Sequence, residues 1–441
     1  MSDKAIDITS GFRSRSRPYL DYLGGIRIKT IFSDQNFLLF VLTLSFYRYF
    51  LDWVMPNTIS NGIIFVFLFY RAIQSVLKVV TLLRLPNSFL MAAFFASLLL
   101  IMVDVMYSVM LGQARDFPYF VFITASQAAF PLLIINYLHG LSLKDLLSVR
   151  KYFVLMVMSV GLFSFAELLV PFETKIAIAR FITKGKIGGA QSYEFTSLPG
   201  IALNFHRLGS VLFAPLTFGF LMALGFVYFG DRELSGRRKF RVTISGLALI
   251  LSIGKSAIVI AAFSYASKLL RKLSIAIYII PIVLLIKKIY EWYPILIEDG
   301  IKPNVLIHLS GLATGWNAAL ESPLFGKGFG TTTFLVQMEC ARLGIVGPFL
   351  NGGQNGLEST IGVFLYQSGF PMVGVLTAVY LWMTVYFFRQ KQYGWSGLCV
   401  GYYFSMLLNE SQISISIAFV FFYLIFCKIK INNRRSCGFN N

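Results

Sequence analysis

Charge is scarce in this sequence: Asp, Glu, Lys and Arg make up 13% of its 441 residues, against about a quarter in soluble domains. Hydrophobic residues take their place at 56%, which excludes an ordinary water-soluble domain. Histidine and cysteine are also rare. The three histidines show no HxxxH spacing, and Cys340, Cys399, Cys427 and Cys437 form no CxxC pair. Little is left to hold a metal, and no cofactor is expected. Sustained alternation of apolar and polar residues is missing too, which argues against a β-barrel. The first 35 residues are polar and basic (Lys4, Arg13, Arg15, Arg17, Arg27, Lys29) and contain no apolar core ending in a small-residue cleavage site. No removable signal peptide is therefore expected, and the first span would stay as an anchor. Acidic residues number 20 against 39 basic ones, a net charge of +19. The excess cations are dispersed among short loops rather than gathered in one domain, so nucleic acid is not an expected partner and a lipid bilayer is.

What the sequence does contain is a series of apolar runs near the roughly 20-residue length of a spanning helix, which predicts an all-α, polytopic membrane bundle. Candidate spans are residues 36–54, 58–80, 87–111, 118–138, 152–171, 207–229, 273–289, 357–387, 395–409 and 412–427. Between the sixth and the next lies "VTISGLALILSIGKSAIVIAAFSYAS", residues 242–267, with Gly254-Lys255 at its centre. Lys and Arg in short loops mark the cytoplasmic side. A basic N-terminus inside puts Lys78 and Arg84, then Lys144, Arg150 and Lys151, then Arg232, Arg237, Arg238, Lys239 and Arg241 inside as well. A single crossing over 242–267 would push the next three basic segments outside. These are Lys268, Arg271 and Lys272; Arg389 and Lys391; and the tail Lys428, Lys430, Arg434 and Arg435. A hairpin at Gly254-Lys255 returns all three to the cytoplasm and gives about 12 crossings with both termini inside. Each arm is only about 18 Å long at the helical rise, short of a hydrocarbon core of about 30 Å, so the turn must dip into the protein. The expected organisation is one membrane domain over 1–441. It has a cytoplasmic N-terminus (1–35), an outer loop (172–206), a large outer loop (290–356) and a cytoplasmic tail (428–441). An outer loop of more than about 60 residues is a functional candidate.

Ionisable residues near membrane depth are costly and draw attention to themselves. Arg48, Arg71 and Asp104 lie in early spans, where pairing or snorkelling accounts for them. Arg207, in "NFHRLGSVLFAPLTFG", and Lys255, in "LSIGKSAIV", both fall on the outer side. Each reads either as an interfacial anchor or as one of two cations holding an anion such as a diphosphate. Lys327 sits in "GWNAALESPLFGKGFG", residues 315–330, a rigid turn or a phosphate-friendly loop that matches neither GxxxxGK[ST] nor GxGxxG after a strand. In "NGGQNGLESTIGVFLYQSGFPMVG", Glu358 stands at the mouth of a span beside Asn355, either as a favourable helix N-terminal charge or as a general base. Arg342 is a further charge on that side. Trp316 is a sugar-stacking candidate or an interface anchor.

Four pieces in order, "HRLGSVLFAP", "LSIGKSA", "SGLATGWNAALESPLFGKGFGTTTF" and "ESTIGVFLYQSGFPMVG", resemble the O-antigen polymerase and ligase superfamily of bacterial inner membranes over roughly residues 200–375. The resemblance implies a GT-C-like helical fold and a periplasmic site for undecaprenyl-diphosphate sugars walled by Arg207, Lys255 and the 315–330 stretch. Two departures stand out. Where members often have Ser-Gly-Arg ahead of the tryptophan, this chain has Ser310-Gly311-Leu312, leaving His308 as the nearest substitute; where ligases place a histidine, it has Glu358. The second departure favours a polymerase.

On that resemblance the chain is expected to be an inverting, metal-independent glycosyltransferase. It would move a growing glycan from its polyprenyl diphosphate to the next lipid-linked repeat, with Glu358 as base, Arg207 and Lys255 on the leaving diphosphate, and Lys327, His308, Trp316, Arg342 and Asn355 binding substrate. A chain-length regulator is a candidate partner. The alternatives are an O-antigen ligase and a lipid-linked oligosaccharide flippase, although no pair of related halves is visible for the latter.

Overall fold

The computed structural model describes residues 33–82, 89–112, 129–185, 208–212, 214–231, 238–269, 303–329, 359–408 and 415–436. These residues form fourteen α-helices and one 3-10 turn, with no strand among them. Helical stretches long and apolar enough to cross a membrane are Asp34–Val54, Asn57–Leu77, Phe89–Met110, Leu143–Glu167, Thr360–Arg389 and Ser416–Arg434. The chain is thus a helical membrane protein by length and composition. Of the expected spans, 273–289 lies outside the described residues, as does 118–128 of the fourth.

Local chemistry sets many of the helix ends. Helix α1 (Asp34–Val54) starts at Ser33, whose hydroxyl accepts the Asn36 N–H at 3.2 Å. Helices α2 (Asn57–Leu82) and α3 (Phe89–Met110) follow. After α4 (Phe130–Gly140), Ser142 and Asp145 form a reciprocal capping box that opens α5 (Leu143–Ser148), satisfying two otherwise unpaired backbone donors. Next come α6 (Arg150–Glu167) and α7 (Phe172–Ile182). Pro215, whose missing N–H is harmless in a first turn, begins α8 (Pro215–Phe229).

The ambiguous run forms two helices, α9 (Arg238–Ser252) and α10 (Lys255–Leu269), and their contacts with α8 fix its direction. Along α9, Gly246 packs on Phe226 and Ser252 on Gly219, so α9 runs antiparallel to α8. Along α10, Ala257 meets Gly219 and Lys268 meets Gly230, so α10 runs back parallel to α8. Residues 242–267 therefore make a hairpin. Its turn is built by Ile253 at φ 50°, a left-handed conformation rare for a β-branched residue, and by Gly254, whose N–H reaches Ser252 Oγ at 3.3 Å.

The remaining described helices are α11 (Pro303–Glu321), α12 (Thr360–Arg389), α13 (Tyr393–Leu408) and α14 (Ile415–Ser436). Helix α14 is central: 83% of its spanning window is buried, and its first half, residues 417–427, is apolar on every side, as expected of a buried helix. Tyr402 and Phe421 stack at 3.9 Å between α13 and α14.

One end of the bundle gathers the basic connections. Arg150 Nε donates to Tyr228 Oη at 3.1 Å, Lys430 Nζ to His139 O at 3.0 Å and Tyr423 Oη to Leu146 O at 2.9 Å. Arg241 lies over the Phe229 ring at 6.0 Å. Lys268 packs beside Gly230 and Gly394, and Lys428 pairs with Asp231 at 2.7 Å. The hairpin is what returns Lys268 to the end that Arg241 left.

The two segments expected as outer loops contain helices, α7 within 172–206 and α11 within 290–356. Helix α11 forms because Gly311 and Gly315 allow its backbone to lie directly on Gly362 of α12; a Cβ on either Gly315 or Gly362 would overlap the other helix's backbone. Such small-residue crossings replace side-chain burial with close backbone packing.

Candidate functional site

At the end opposite the basic connections, Glu167 closes α6 and organises the segment that follows Arg207. Its carboxylate accepts the Gly209 N–H at 3.1 and 3.2 Å and the Ser210 N–H at 2.7 Å, and pairs with Lys175 at 2.6 Å. Ser210 takes φ 52° and donates its hydroxyl to Val160 O at 2.6 Å. The Leu208 N–H donates to Leu251 O at 3.3 Å, which ties this segment to the hairpin tip. Lys255 is the first residue of α10, immediately beyond that tip.

Helix α13 runs antiparallel to α10, with Gly394 on Lys268, Gly397 on Ser267 and Gly401 on Ile260, so its C-terminal end lies level with the start of α10. There Ser359 Oγ lies 3.5 Å from Met406 O, and it caps α12 by accepting the Gly362 N–H at 3.0 Å. The described neighbours of Arg207 and of Glu358 are thus at the same end of the bundle as Lys255. Arg207, Arg342, Asn355 and Glu358 themselves lie outside the described residues, as do the side chains of Lys255 and of His308, which is on α11.

The stretch "SPLFGKGF" answers a specific defect in α12. That helix breaks at Gly369 (φ 66°, ψ −159°) and carries Pro371 two residues on. In an unbroken helix Phe370 would donate to Tyr366 and residue 371 to Gln367. Here the Phe370 N–H turns outward to Pro323 O at 2.9 Å, and proline has no N–H to give. The loop supplies both missing donors, Lys327 N–H to Tyr366 O at 2.6 Å and Gly328 N–H to Gln367 O at 3.1 Å. Gly326 (φ 59°) and Gly328 (φ 86°) permit the approach. The neighbouring amides are engaged as well, Gly326 N–H to Ser322 O at 2.9 Å and Phe329 N–H to Ser108 Oγ at 2.7 Å. Four successive amides, 326 to 329, are therefore held within the protein, so of the two readings of this stretch, a rigid turn or a phosphate-friendly loop, its backbone forms the turn, as a clasp on α12. The Lys327 ammonium pairs with the Glu321 carboxylate, so its charge is already partnered. Trp316 is 42% exposed and sits edge-on to Phe370 at 5.4 Å, just past the break, and Tyr107 stacks on Phe325 at 4.8 Å.

Asp104, set aside in the sequence as a pairing or snorkelling charge, belongs to this junction. Helix α3 turns Ser97, Ile101, Asp104 and Ser108 to the bundle interior. Ser108 Oγ donates to Asp104 O at 2.7 Å while accepting the Phe329 N–H. The Asp104 carboxyl, 2% exposed, faces the Ser368 hydroxyl of α12. The signal in the sequence was the spacing of Ser97, Asp104 and Ser108 along one helical face. Arg71, by contrast, pairs with Asp34. Among the described residues no three His, Cys, Asp or Glu side chains converge as a metal site.

The described residues thus define a helical membrane protein with a built junction at one end. No protein-family model matches the chain, and no curated protein does.

Proposed function

We propose that the chain is a polysaccharide polymerase of a bacterial inner membrane. It transfers a growing glycan from undecaprenyl diphosphate to the next lipid-linked repeat unit at the periplasmic face, with both termini in the cytoplasm. One observation carries the reading. Leu208, next to Arg207, and Ser359, next to Glu358, gather with the backbone of Lys255 at the bundle end opposite the basic connections. Those connections mark the cytoplasmic side, so the predicted catalytic positions belong to the outer one. The clasp between residues 323–328 and α12 gives that end a rigid wall, and Trp316 offers it a half-exposed ring.

The reaction forms a bond between an acceptor hydroxyl oxygen and the donor's anomeric carbon while the bond from that carbon to the diphosphate oxygen breaks. The electron pair leaves with the polyprenyl diphosphate, and the hydroxyl proton passes to Glu358. Attack opposite the leaving group inverts the anomeric centre. Negative charge grows on the diphosphate as the bond breaks, so Arg207 and Lys255 stabilise the transition state more than the ground state. A positioned carboxylate base contributes about 100- to 10,000-fold. Complementation of a polymerase-null strain, read as the ladder of polysaccharide lengths on a gel, tests the assignment. Arg207→Ala, Lys255→Ala and Glu358→Gln should each abolish long polymer at normal expression. Full-length polymer from all three would show the assignment to be wrong.

A further inference from the structure

Three successive N–H groups directly after Arg207 have fixed acceptors. The Leu208 N–H reaches Leu251 O at the hairpin tip, 3.3 Å away. The next two both reach Glu167 at the end of α6: the Gly209 N–H lies 3.2 Å from Oε1 and 3.1 Å from Oε2, and the Ser210 N–H 2.7 Å from Oε2. The direction in which the chain leaves Arg207 is therefore set within a single residue. Ser210 holds φ 52°, a conformation uncommon for a residue with a side chain that persists only where its surroundings over-determine it. Here the carboxylate holds its N–H, and Val160 O accepts its hydroxyl at 2.6 Å. Leu208 and Leu212, each 2% exposed, anchor the turn on either side.

The same contacts fill Glu167. A carboxylate has about four lone-pair sites, and Oε1 also takes the Lys175 ammonium at 2.6 Å, so the two amides and the lysine occupy them. The pair is nearly buried, where each charge must cancel the other. Glu167 thus has no site left for a substrate proton, which separates it from a general base, or for a guanidinium, which separates it from a counter-ion. We infer that Glu167 is a positioning residue for Arg207. It sets the backbone that begins one residue beyond the arginine, and Lys175 cancels its charge, so Glu167 does not compete with the donor's diphosphate for the guanidinium. The role in transfer rests on the polymerase reading; the hold on the two amides does not.

Hydrogen exchange of the full chain in lipid nanodiscs, read by mass spectrometry, tests that hold. The peptide containing Gly209 and Ser210 should be protected in the wild type and exchange about tenfold faster in Glu167→Ala, where charged acceptors are lost, with α13 unchanged. Equal exchange in the two proteins overturns the inference. Transfer kinetics in proteoliposomes test the positioning. Glu167→Ala should lower kcat and kcat/KM for the lipid-linked donor together, by about 100-fold per folded molecule, because a misplaced cation is missed in the transition state. Glu167→Asp keeps the charge beside Lys175 and draws the oxygens back by one carbon. It should lose rate in the same way, and it carries the test where Glu167→Ala does not fold. Wild-type kcat per folded molecule, with only a lower thermal midpoint, is the result of a purely structural strut and overturns the role. Glu167→Gln combined with Lys175→Met keeps a carbonyl acceptor for the amides and leaves no unpaired buried charge, so it should restore most of kcat. A double variant that folds yet stays about 100-fold slow shows that Glu167 acts through its charge, which also overturns the positioning role. If the wild type transfers nothing, the polymerase reading fails, and the exchange arm still decides whether Glu167 holds the turn.

Discussion

A Cβ on Gly369 would land 2.5 Å from Pro323 O, on a backbone at φ 66° and ψ −159° that belongs almost entirely to glycine. Gly369→Ala should therefore cost about 1–3 kcal/mol from the backbone alone, seen as a lower thermal midpoint in detergent together with reduced polymer. Lys327 separates backbone from side chain. Its ion pair with Glu321 is about a third exposed on each partner, 34% and 40%, and exposed pairs contribute at most about 1 kcal/mol. Lys327→Ala should melt close to wild type and still make polymer. Lys327→Pro removes the N–H that reaches Tyr366 O and should cost about 1–3 kcal/mol for that buried carbonyl. Equal damage from the two variants would return the lysine side chain to the machinery. The lysine and glycines of this loop were legible as a special structure, but their purpose was not. The partner carbonyls belong to residues 366 and 367, and only the fold brings those to the loop.

At the scale of elements, the α9–α10 hairpin makes a claim about sidedness. A cysteine replacing Lys327 should react with a membrane-impermeant maleimide in intact cells once the outer membrane is opened. A cysteine replacing the exposed Lys239 should react only after the inner membrane is permeabilised. Labelling of both from the same side would contradict the topology. The hairpin was readable because Lys and Arg in three later segments all had to return to one side, and Gly254 offered a place to turn. Helix α11 was not readable in the same way. Its crossing face carries Gly311, Thr314, Gly315, Ala318 and Ala319, which contribute little apolarity, so the segment does not stand out as an apolar run of spanning length. The Gly-x-x-x-Gly spacing of 311 and 315 was the available signal. Helix α7 escaped notice for a related reason: its 11 residues are too few to span, and Glu173, Lys175 and Arg180 interrupt its apolar character.

For the whole molecule, the two ends differ in how charge is handled. The basic end is sealed by Lys428, which is fully buried and pairs with Asp231 at 2.7 Å, while Trp395 Nε1 donates to the same carboxylate at 2.6 Å. Asp231→Asn leaves the Lys428 ammonium buried without its counter-charge and should cost about 3–5 kcal/mol, measured as a loss of thermal midpoint. The opposite end holds the segments next to Arg207, Lys255 and Glu358. Composition and the alternation of basic loops were enough to expect a helical membrane protein with that polarity, since both follow from local sequence. The link between Asp104 and Ser368 was not visible, because it depends on how α3 packs against α12. The account as a whole stands on transfer chemistry at the outer end. Its most direct test is a reconstituted assay: the purified protein in proteoliposomes with an undecaprenyl-diphosphate-linked oligosaccharide as both donor and acceptor, read as product length. The account predicts that the wild type lengthens the glycan with release of undecaprenyl diphosphate, and that Glu358→Gln slows this by about 100- to 10,000-fold with its thermal midpoint unchanged. Undiminished lengthening by Glu358→Gln, or none by a folded wild-type protein supplied with its own repeat unit, would contradict it.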